Sequence, residues 1–347
     1  MNKNIFYIKE VDKKKKLNSD SLKNFSSDEI GLILSSNPFI LMKPWIKFQQ
    51  EWVSNIYNQF KDHEKYIILM YLISKTWQDK SNLFIYSSID EYYAQNEIDL
   101  PHISLSEMSI NLKIPKETIR RKLVELEKQN IIKREGQKII LARLALSLQK
   151  PESSIKTLSV FCEKLSILLS TQDWFGSNVS REDIELYFKK YYTIFWNHFF
   201  KFQIPFLIRW KIVFGDYETW VIWANMGINQ SLNLENISKK LNNKINFSGI
   251  ENKNLYLNNI QNNEPEQGVN ASSIAEISGI PRATVLRKLK KLTNEKVIKR
   301  NKKLEYVLTN KGKLNEKIKA NYLINQKHIA LFITDIFNLI KNSPLKL

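Results

Sequence analysis

A pattern that occurs twice in the sequence constrains the fold of this chain more than any other feature. Residues 114–134 read IPKETIRRKLVELEKQNIIKR, and residues 280–300 read IPRATVLRKLKKLTNEKVIKR. The two copies align without a gap, with Ile114 opposite Ile280, and ten positions are identical. Because a pattern repeated within one chain folds in the same way each time, the sequence predicts a molecule with two corresponding halves.

Helical patterns flank both copies, which extends this division to the whole chain. We predict a flexible basic tail, two halves and, within each half, one compact unit that contains the repeat. The tail covers residues 1–36, the halves cover 37–170 and 171–347, and the units cover about 104–142 and 270–310. An asparagine-rich connector at 231–267 is expected to be loose or partly ordered. The predicted fold is therefore mainly α, with an internal pseudo-two-fold relation.

Each copy predicts a helix followed by a β-hairpin. Apolar residues recur at a spacing of four and three positions, which lines one face of a helix. These residues are Ile119, Leu123 and Leu126 in the first copy and Val285, Leu289 and Leu292 in the second. Proline is favoured at the first helical position, so we expect the helices to begin sharply at Pro115 and Pro281. Basic residues fall on the remaining surface of both helices.

The overall charge favours a polyanionic partner. The chain has 347 residues, a formal net charge of +18 and a sequence pI of about 9.6. Soluble proteins with this balance most often bind nucleic acid or an acidic membrane face. The most apolar stretch, residues 191–214, contains charged residues and Pro205, so we predict core helices there and no membrane partner.

The sequence contains no pattern that indicates catalysis. The four histidines are scattered, and neither a phosphate-binding loop nor a dinucleotide-binding glycine pattern is present. We therefore expect no enzyme activity, no catalytic residues, no metal and no cofactor. Cys162 is the only cysteine and lies in an apolar run, so we predict a buried thiol in a reducing compartment. The expected location is cytoplasmic and nucleoid-associated.

Both copies resemble the winged helix-turn-helix domains of bacterial transcriptional regulators. The resemblance is carried by SEMSINLKIPKETIRRKLVELEKQNIIKR and SIAEISGIPRATVLRKLKKLTNEKVIKR, and it leaves most of the chain unassigned. The later segment YVLTNKGK is similar to the turn after the wing in MarR-type repressors, whereas the first copy has LARLALS there. The resemblance implies two modules, each a three-helix core with a hairpin wing, that are fused into a pseudo-dimer and bind double-stranded DNA.

The resemblance also assigns roles to individual residues. Those expected to face bases are Lys116, Glu117 and Arg120 in the first copy and Arg282, Ala283 and Leu286 in the second. Those expected to contact phosphates are Thr118, Arg121 and Lys122, with Thr284, Arg287 and Lys288. The wings would be placed by Arg134, Lys138, Lys302 and Lys303.

A comparison of the copies suggests that the halves have different specificities. The residues expected to contact the DNA backbone are identical in both copies, and the residues expected to read bases differ. We therefore expect two unequal half-sites and an operator that is not a palindrome. Alanine at Arg121 or Arg287 should weaken binding to every sequence and flatten the salt dependence by about one unit each.

Several interpretations remain open from the sequence alone. A plasmid or phage replication initiator also carries two winged helices, and winged helices also serve as protein–protein interaction scaffolds. RNA polymerase or a small-molecule effector are further candidate partners, and the chain is either a monomeric pseudo-dimer or a homodimer. The tryptophan-rich helices are expected to join the halves, with an effector pocket as the alternative.

Overall fold

The computed structural model describes residues 24–82, 86–136, 138–170, 179–240, 268–309 and 311–342. These residues are mainly helical with two small antiparallel sheets, so the predicted mainly α class is confirmed. The first half contains α1 (Ser27–Ser36), α2 (Pro38–Phe60), α3 (His63–Asn82), α4 (Ile89–Tyr93), β1 (Glu97–Leu100), α5 (Leu105–Leu112), α6 (Lys116–Lys128), β2 (Ile132–Glu135), β3 (Lys138–Ala142), α7 (Arg143–Gln149) and α8 (Glu152–Ser170). The second half contains α9 (Arg181–Lys190), α10 (Tyr192–Phe214), α11 (Tyr217–Lys240), α12 (Ala271–Ser278), α13 (Arg282–Asn294), β4 (Ile298–Arg300), β5 (Tyr306–Leu308) and α14 (Lys313–Lys341).

Three consecutive helices of the first half recur in the second half with the same spacing. Helices α1 and α9 have 10 residues each, and α2 and α10 have 23 residues each. The first residues of α1 and α9, of α2 and α10, and of α3 and α11 each lie 154 positions apart. Ser26 and Ser180 cap α1 and α9 by accepting from the backbone N–H three residues later. We call residues that correspond in this way images of each other.

The same correspondence continues into the repeated units at a larger offset. After α3 and the short α4 come β1, α5, α6, β2 and β3, which together with α3 form what we call the first unit. The order after α11 is α12, α13, β4 and β5, which we call the second unit together with α11. Strand β1 pairs with β3, and Val269 forms a single bridge to Tyr306 in the corresponding place. The offset rises from 154 to 166 between the long helices and the repeat helices, so the connector of the second half is the longer one.

The two halves exchange helices, so that their cores are continuous. Helix α1 packs along α14, and its image α9 packs along α8. Helix α2 packs on α11, and its image α10 packs on α3. One continuous cluster of buried apolar side chains runs through both halves. Each half therefore needs the other to cover its apolar surface.

A pseudo-two-fold axis relates the halves, and two pairs of image residues contact each other on it. Gln49 and Gln203 are buried and exchange two amide hydrogen bonds, with Nε2–Oε1 distances of 3.1 and 2.9 Å. The rings of His63 and Tyr217 lie 5.6 Å apart between centroids. A residue that touches its own image lies at the axis, so these pairs define a pseudo-dyad between α2 and α10 and between the N-termini of α3 and α11.

Aromatic rings join the halves around this pseudo-dyad, as expected from the tryptophan-rich helices. Trp45 contacts Phe202 at 5.6 Å between centroids, and their images Phe199 and Phe48 contact each other at 5.2 Å. Cys162 is buried as expected, and burial raises the pKa of its thiol. Among the helices in the described segments, none combines the length and apolarity that a membrane crossing requires.

The reciprocal amide pair predicts a coupled effect on stability. Gln49→Leu alone and Gln203→Leu alone should each lower the free energy of unfolding by about 1–3 kcal/mol, because each leaves one buried amide without a partner. The double variant removes both amides, so it should be less destabilised than the sum of the two singles. Chemical denaturation of the four proteins would measure this coupling. Additive losses would contradict the amide pair as the contact that joins α2 and α10.

One expectation about the ends of the helices needs correction. The predicted flexible tail at residues 1–36 is wrong for residues 24–36, since Ser26 and Glu29 form a capping box that starts α1 and Ile30 is fully buried. The connector was expected to be loose or partly ordered, and its residues 231–240, which contain no glycine or proline, continue α11. Residues 1–23, the rest of the connector and the predicted boundary at 171–178 lie outside the described residues.

Candidate nucleic-acid interface

The two repeat helices, α6 and α13, each bury the apolar face that the sequence predicts. Ile119, Leu123 and Leu126 in α6 are buried, and so are Val285, Leu289 and Leu292 in α13. Both helices begin directly after the prolines, at Lys116 and Arg282. The preceding helices α5 and α12 are capped by the side chains of Ser104 and Asn270. The predicted helix, turn, helix and hairpin are therefore present in both halves.

One identical residue of the repeat anchors each helix to the rest of the fold. Lys122 Nζ lies 2.5 Å from Asp62 Oδ2, and its image Lys288 lies 2.6 Å from Asp216 Oδ2. The lysine side chains are only 12% and 14% exposed. Both aspartates also accept from backbone N–H groups at the N-termini of α3 and α11. Each ion pair therefore joins a repeat helix to the first turn of the long helix in its unit.

The anchoring corrects part of the predicted site. Lys122 and Lys288 were expected to contact phosphates, but a lysine that is mostly covered and already paired cannot reach a phosphate without breaking its ion pair. We reassign both residues to the seating of α6 and α13. Their identity in the two copies reflects a shared packing contact.

The same ion pairs place both repeat helices beside the pseudo-dyad. Asp62 directly precedes His63, and Asp216 directly precedes Tyr217, the two image residues whose rings touch. Helices α6 and α13 are thus held at the same end of the molecule, on either side of one axis. Two-fold related proteins that read DNA place their helices in this way relative to their axis.

The two helices differ sharply in charge. Helix α6 carries five basic and three acidic residues, whereas α13 carries five basic and no acidic residues. In α6, Arg120 pairs with Glu117 at 2.8 Å, and Arg121 lies 3.8 Å from Glu125. Hydrogen bonding from Lys65 lowers the pKa of Glu125 below its ordinary value, so this carboxylate remains charged beside the arginine. The cations of the first helix are therefore partly neutralised by their neighbours.

The second helix presents an open cationic surface. Arg287 and Lys290 are exposed and form no ion pair with any residue that the structure describes. Arg282 is exposed at the start of the helix, where its Nε donates to Ser272 Oγ at 3.1 Å. Lys290 was absent from the predicted set, although it lies three positions after Arg287 and therefore shares its face. Lys291 instead donates to the backbone oxygen of Phe214 at 2.7 Å.

The remaining predicted residues of the helices have the exposure that a contact surface requires. Lys116, Glu117, Ala283 and Leu286 are exposed, and Thr118 and Thr284 are half-buried. Leu286 is 37% exposed and occupies the position of Arg120, so the second helix offers an apolar side chain where the first offers a paired arginine. Side chains of this size can contact the methyl group of thymine.

The hairpins repeat the contrast between the helices. In the first hairpin Arg134 forms an ion pair with Glu127, and Lys138 lies 2.9 Å from Asp99. In the second hairpin Lys302 and Lys303 are exposed at the turn. Arg300 lies over the ring of Tyr306 and donates to its hydroxyl at 2.8 Å, a contact that the repeated pattern did not indicate. The tip of the second hairpin is thus the more cationic one.

The comparisons with known proteins add no assignment to this surface. No protein-family model, no curated protein and no solved structure matches the chain. In the residues that the structure covers, histidine, cysteine and carboxylate side chains form no cluster that could hold a metal ion.

Proposed function

We propose that this protein is a double-stranded DNA-binding transcriptional regulator that acts as a fused pseudo-dimer. In this proposal each unit is a winged helix-turn-helix module, with α3, α5 and α6 or α11, α12 and α13 as its three helices. The hairpins β2–β3 and β4–β5 are the wings. Helices α6 and α13 enter the major groove at two half-sites.

The observation that carries the proposal is the position of both repeat helices beside one pseudo-dyad. Duplex DNA has its own two-fold axes, so a protein with a matching axis can present two helices to successive grooves. Ion pairs of Lys122 and Lys288 with image aspartates fix this placement in both halves. A pseudo-dyad inside one chain supplies this arrangement without a second subunit.

The charge distribution supports DNA as the partner and unequal roles for the units. Exposed Arg282, Arg287, Lys290, Lys302 and Lys303 give the second unit a cationic surface along its helix and hairpin turn. The first unit presents cations that are mostly paired with glutamate or aspartate. We therefore propose that the second unit supplies most of the phosphate contacts and that the first unit contributes more through shape and base contacts.

Selection from a pool of random duplex DNA by the full chain tests the proposal. We expect the enriched duplexes to share two unequal half-sites separated by about one helical turn, roughly 10 base pairs. Their affinity, measured by fluorescence anisotropy, should fall with rising salt because phosphate contacts release counterions.

A mixed-sequence duplex of the same length serves as the control for sequence specificity. Absence of duplex binding at 50–100 mM salt, roughly the range in which phosphate contacts are strong, would rule out the proposed function. A perfect inverted repeat as the best ligand would instead contradict the unequal half-sites and leave DNA binding intact.

A further inference from the structure

A large cavity opens between helices α10 and α11 of the second half and helices α2 and α14. Its volume is about 480 Å³, within the range of pockets that hold drug-sized ligands. Rings of Trp45, Phe206, Trp210, Trp220 and Trp223 form much of its wall. Among the described residues that line it, Lys319 is the only charged one.

The pseudo-symmetry shows why space is left here. Pro38, Met42 and Ile46 line the cavity along α2. Their images on α10 are the larger residues Tyr192, Trp196 and Phe200, which are buried among other aromatic rings. Gly227 lines the cavity on α11, and its image is the buried Ile73. The cavity is therefore bordered by smaller residues at four positions whose larger images fill the corresponding space on the other side of the pseudo-dyad.

Unsatisfied hydrogen-bond donors distinguish this cavity from a simple packing gap. Asn325 is 2% exposed, and its Nδ2 has no partner among the described residues. Arg209 Nε donates to Asn325 Oδ1 at 2.8 Å, and because arginine can only donate, the amide nitrogen is the group left to bind a ligand. Trp210 Nε1 and Asn315 Nδ2 are also buried without a partner in this part of the chain. Buried donors of this kind are rarely left unpaired.

We propose that the cavity binds an amphipathic carboxylic acid. Its apolar body would lie between the tryptophan rings, and its carboxylate would accept from Asn325 Nδ2, with the Arg209 guanidinium directly behind this amide. The described lining contains Lys319 and no carboxylate, which favours an anionic ligand. This assignment does not depend on DNA binding, because it concerns a different surface.

Competition with a fluorescent probe tests the proposal. The dye 8-anilinonaphthalene-1-sulfonate carries an aromatic body and an anionic head, so its emission should rise on binding to the full chain. Decanoate should displace the dye, and 1-decanol should be about tenfold weaker or worse, because it lacks the charged acceptor. Asn325→Leu should remove most of this difference. Met42→Trp places in the cavity the residue that its image Trp196 has in the other half, so it should abolish binding of both the dye and decanoate.

Two variants control for altered folding. Asn321→Leu changes a buried amide on the same helix that does not line the cavity, and Lys47→Trp adds a ring to an exposed position of α2. Both should bind the dye and decanoate as the unchanged chain does. Failure of the dye to bind, equal displacement by decanoate and decanol, or full binding by Met42→Trp would each overturn the proposal.

Discussion

Replacing Arg282 and Arg287 together by alanine is expected to weaken DNA binding about a hundredfold. Both side chains are exposed on α13, and this helix contains no acidic residue that would offset their charge. Replacing their images Lys116 and Arg121 should weaken binding about tenfold or less, because Glu117 and Glu125 already neutralise part of the field of α6. Fluorescence anisotropy with one selected duplex, at several salt concentrations, would measure both effects.

The comparison is internally controlled, since the two double variants change corresponding positions of one chain. The Arg282 and Arg287 variant should also flatten the salt dependence by up to about two units, since it removes two cations that can each neutralise a phosphate. Equal losses in both variants would contradict the unequal roles of the units. A third variant, Lys156→Ala, removes an exposed cation from α8. If this variant binds DNA as the unchanged chain does, the losses in the other variants are not caused by the lower net charge alone.

The local pattern of each repeated unit could be predicted from the sequence because the signals are short-range. The stripe of Ile119, Leu123 and Leu126 specifies one face of a helix, and the residues that complete it lie within two turns. Prolines at 115 and 281 mark where these helices begin. The wings follow from two short strand patterns around a turn. None of these features requires knowledge of a distant residue.

The exchange of helices between halves could not be predicted, because it depends on which apolar faces meet. Ten identities reveal the repeated pattern, but the flanking helices share few identities at the offset of 154. One of these few shared segments is the sequence KFQ, which occurs at Lys47–Gln49 and again at Lys201–Gln203. Only the structure shows that Gln49 and Gln203 bind each other. The cavity is equally hidden, since it results from smaller residues on α2 facing α11 and α14.

The misassignment of the two anchoring lysines has a similar cause. Lys122 is identical in both copies and basic, which fits a phosphate contact and a structural ion pair equally well. Its partner Asp62 lies 60 positions earlier, at the start of another helix. Identity between two copies reports a shared environment. It does not tell whether that environment is DNA or the protein itself.

The reassigned lysines therefore yield a prediction that separates the two roles. Lys288→Met should lower the free energy of unfolding by about 2 kcal/mol, because it removes the 2.6 Å ion pair of the half-buried Asp216 and leaves only Lys291, at 3.8 Å, beside this carboxylate. The slope of DNA affinity against salt should stay unchanged, since no phosphate contact is lost. Lys122→Met should behave in the same way. A phosphate-binding lysine would give the reverse result, with unchanged stability and a slope flatter by about one unit.

The pH dependence of this loss follows from the state of Asp216. Burial alone would raise the pKa of this carboxyl, but hydrogen bonds from Lys288 and Thr219 lower it below the ordinary value. A carboxyl with a lowered pKa in the folded state stabilises the fold above its unfolded pKa and loses this contribution as pH falls through the folded pKa. The stability difference between the unchanged chain and Lys288→Met should therefore be full at pH 7 and shrink below about pH 4.

Urea denaturation of both proteins at pH 7, 5 and 3.5 would measure this difference. Glu117→Gln is the matched control, because its ion pair with Arg120 is exposed and should contribute little to the free energy of unfolding at any of these pH values. A difference between the unchanged chain and Lys288→Met that stays constant across this range would show that Lys288 stabilises the fold through its packing and not through Asp216.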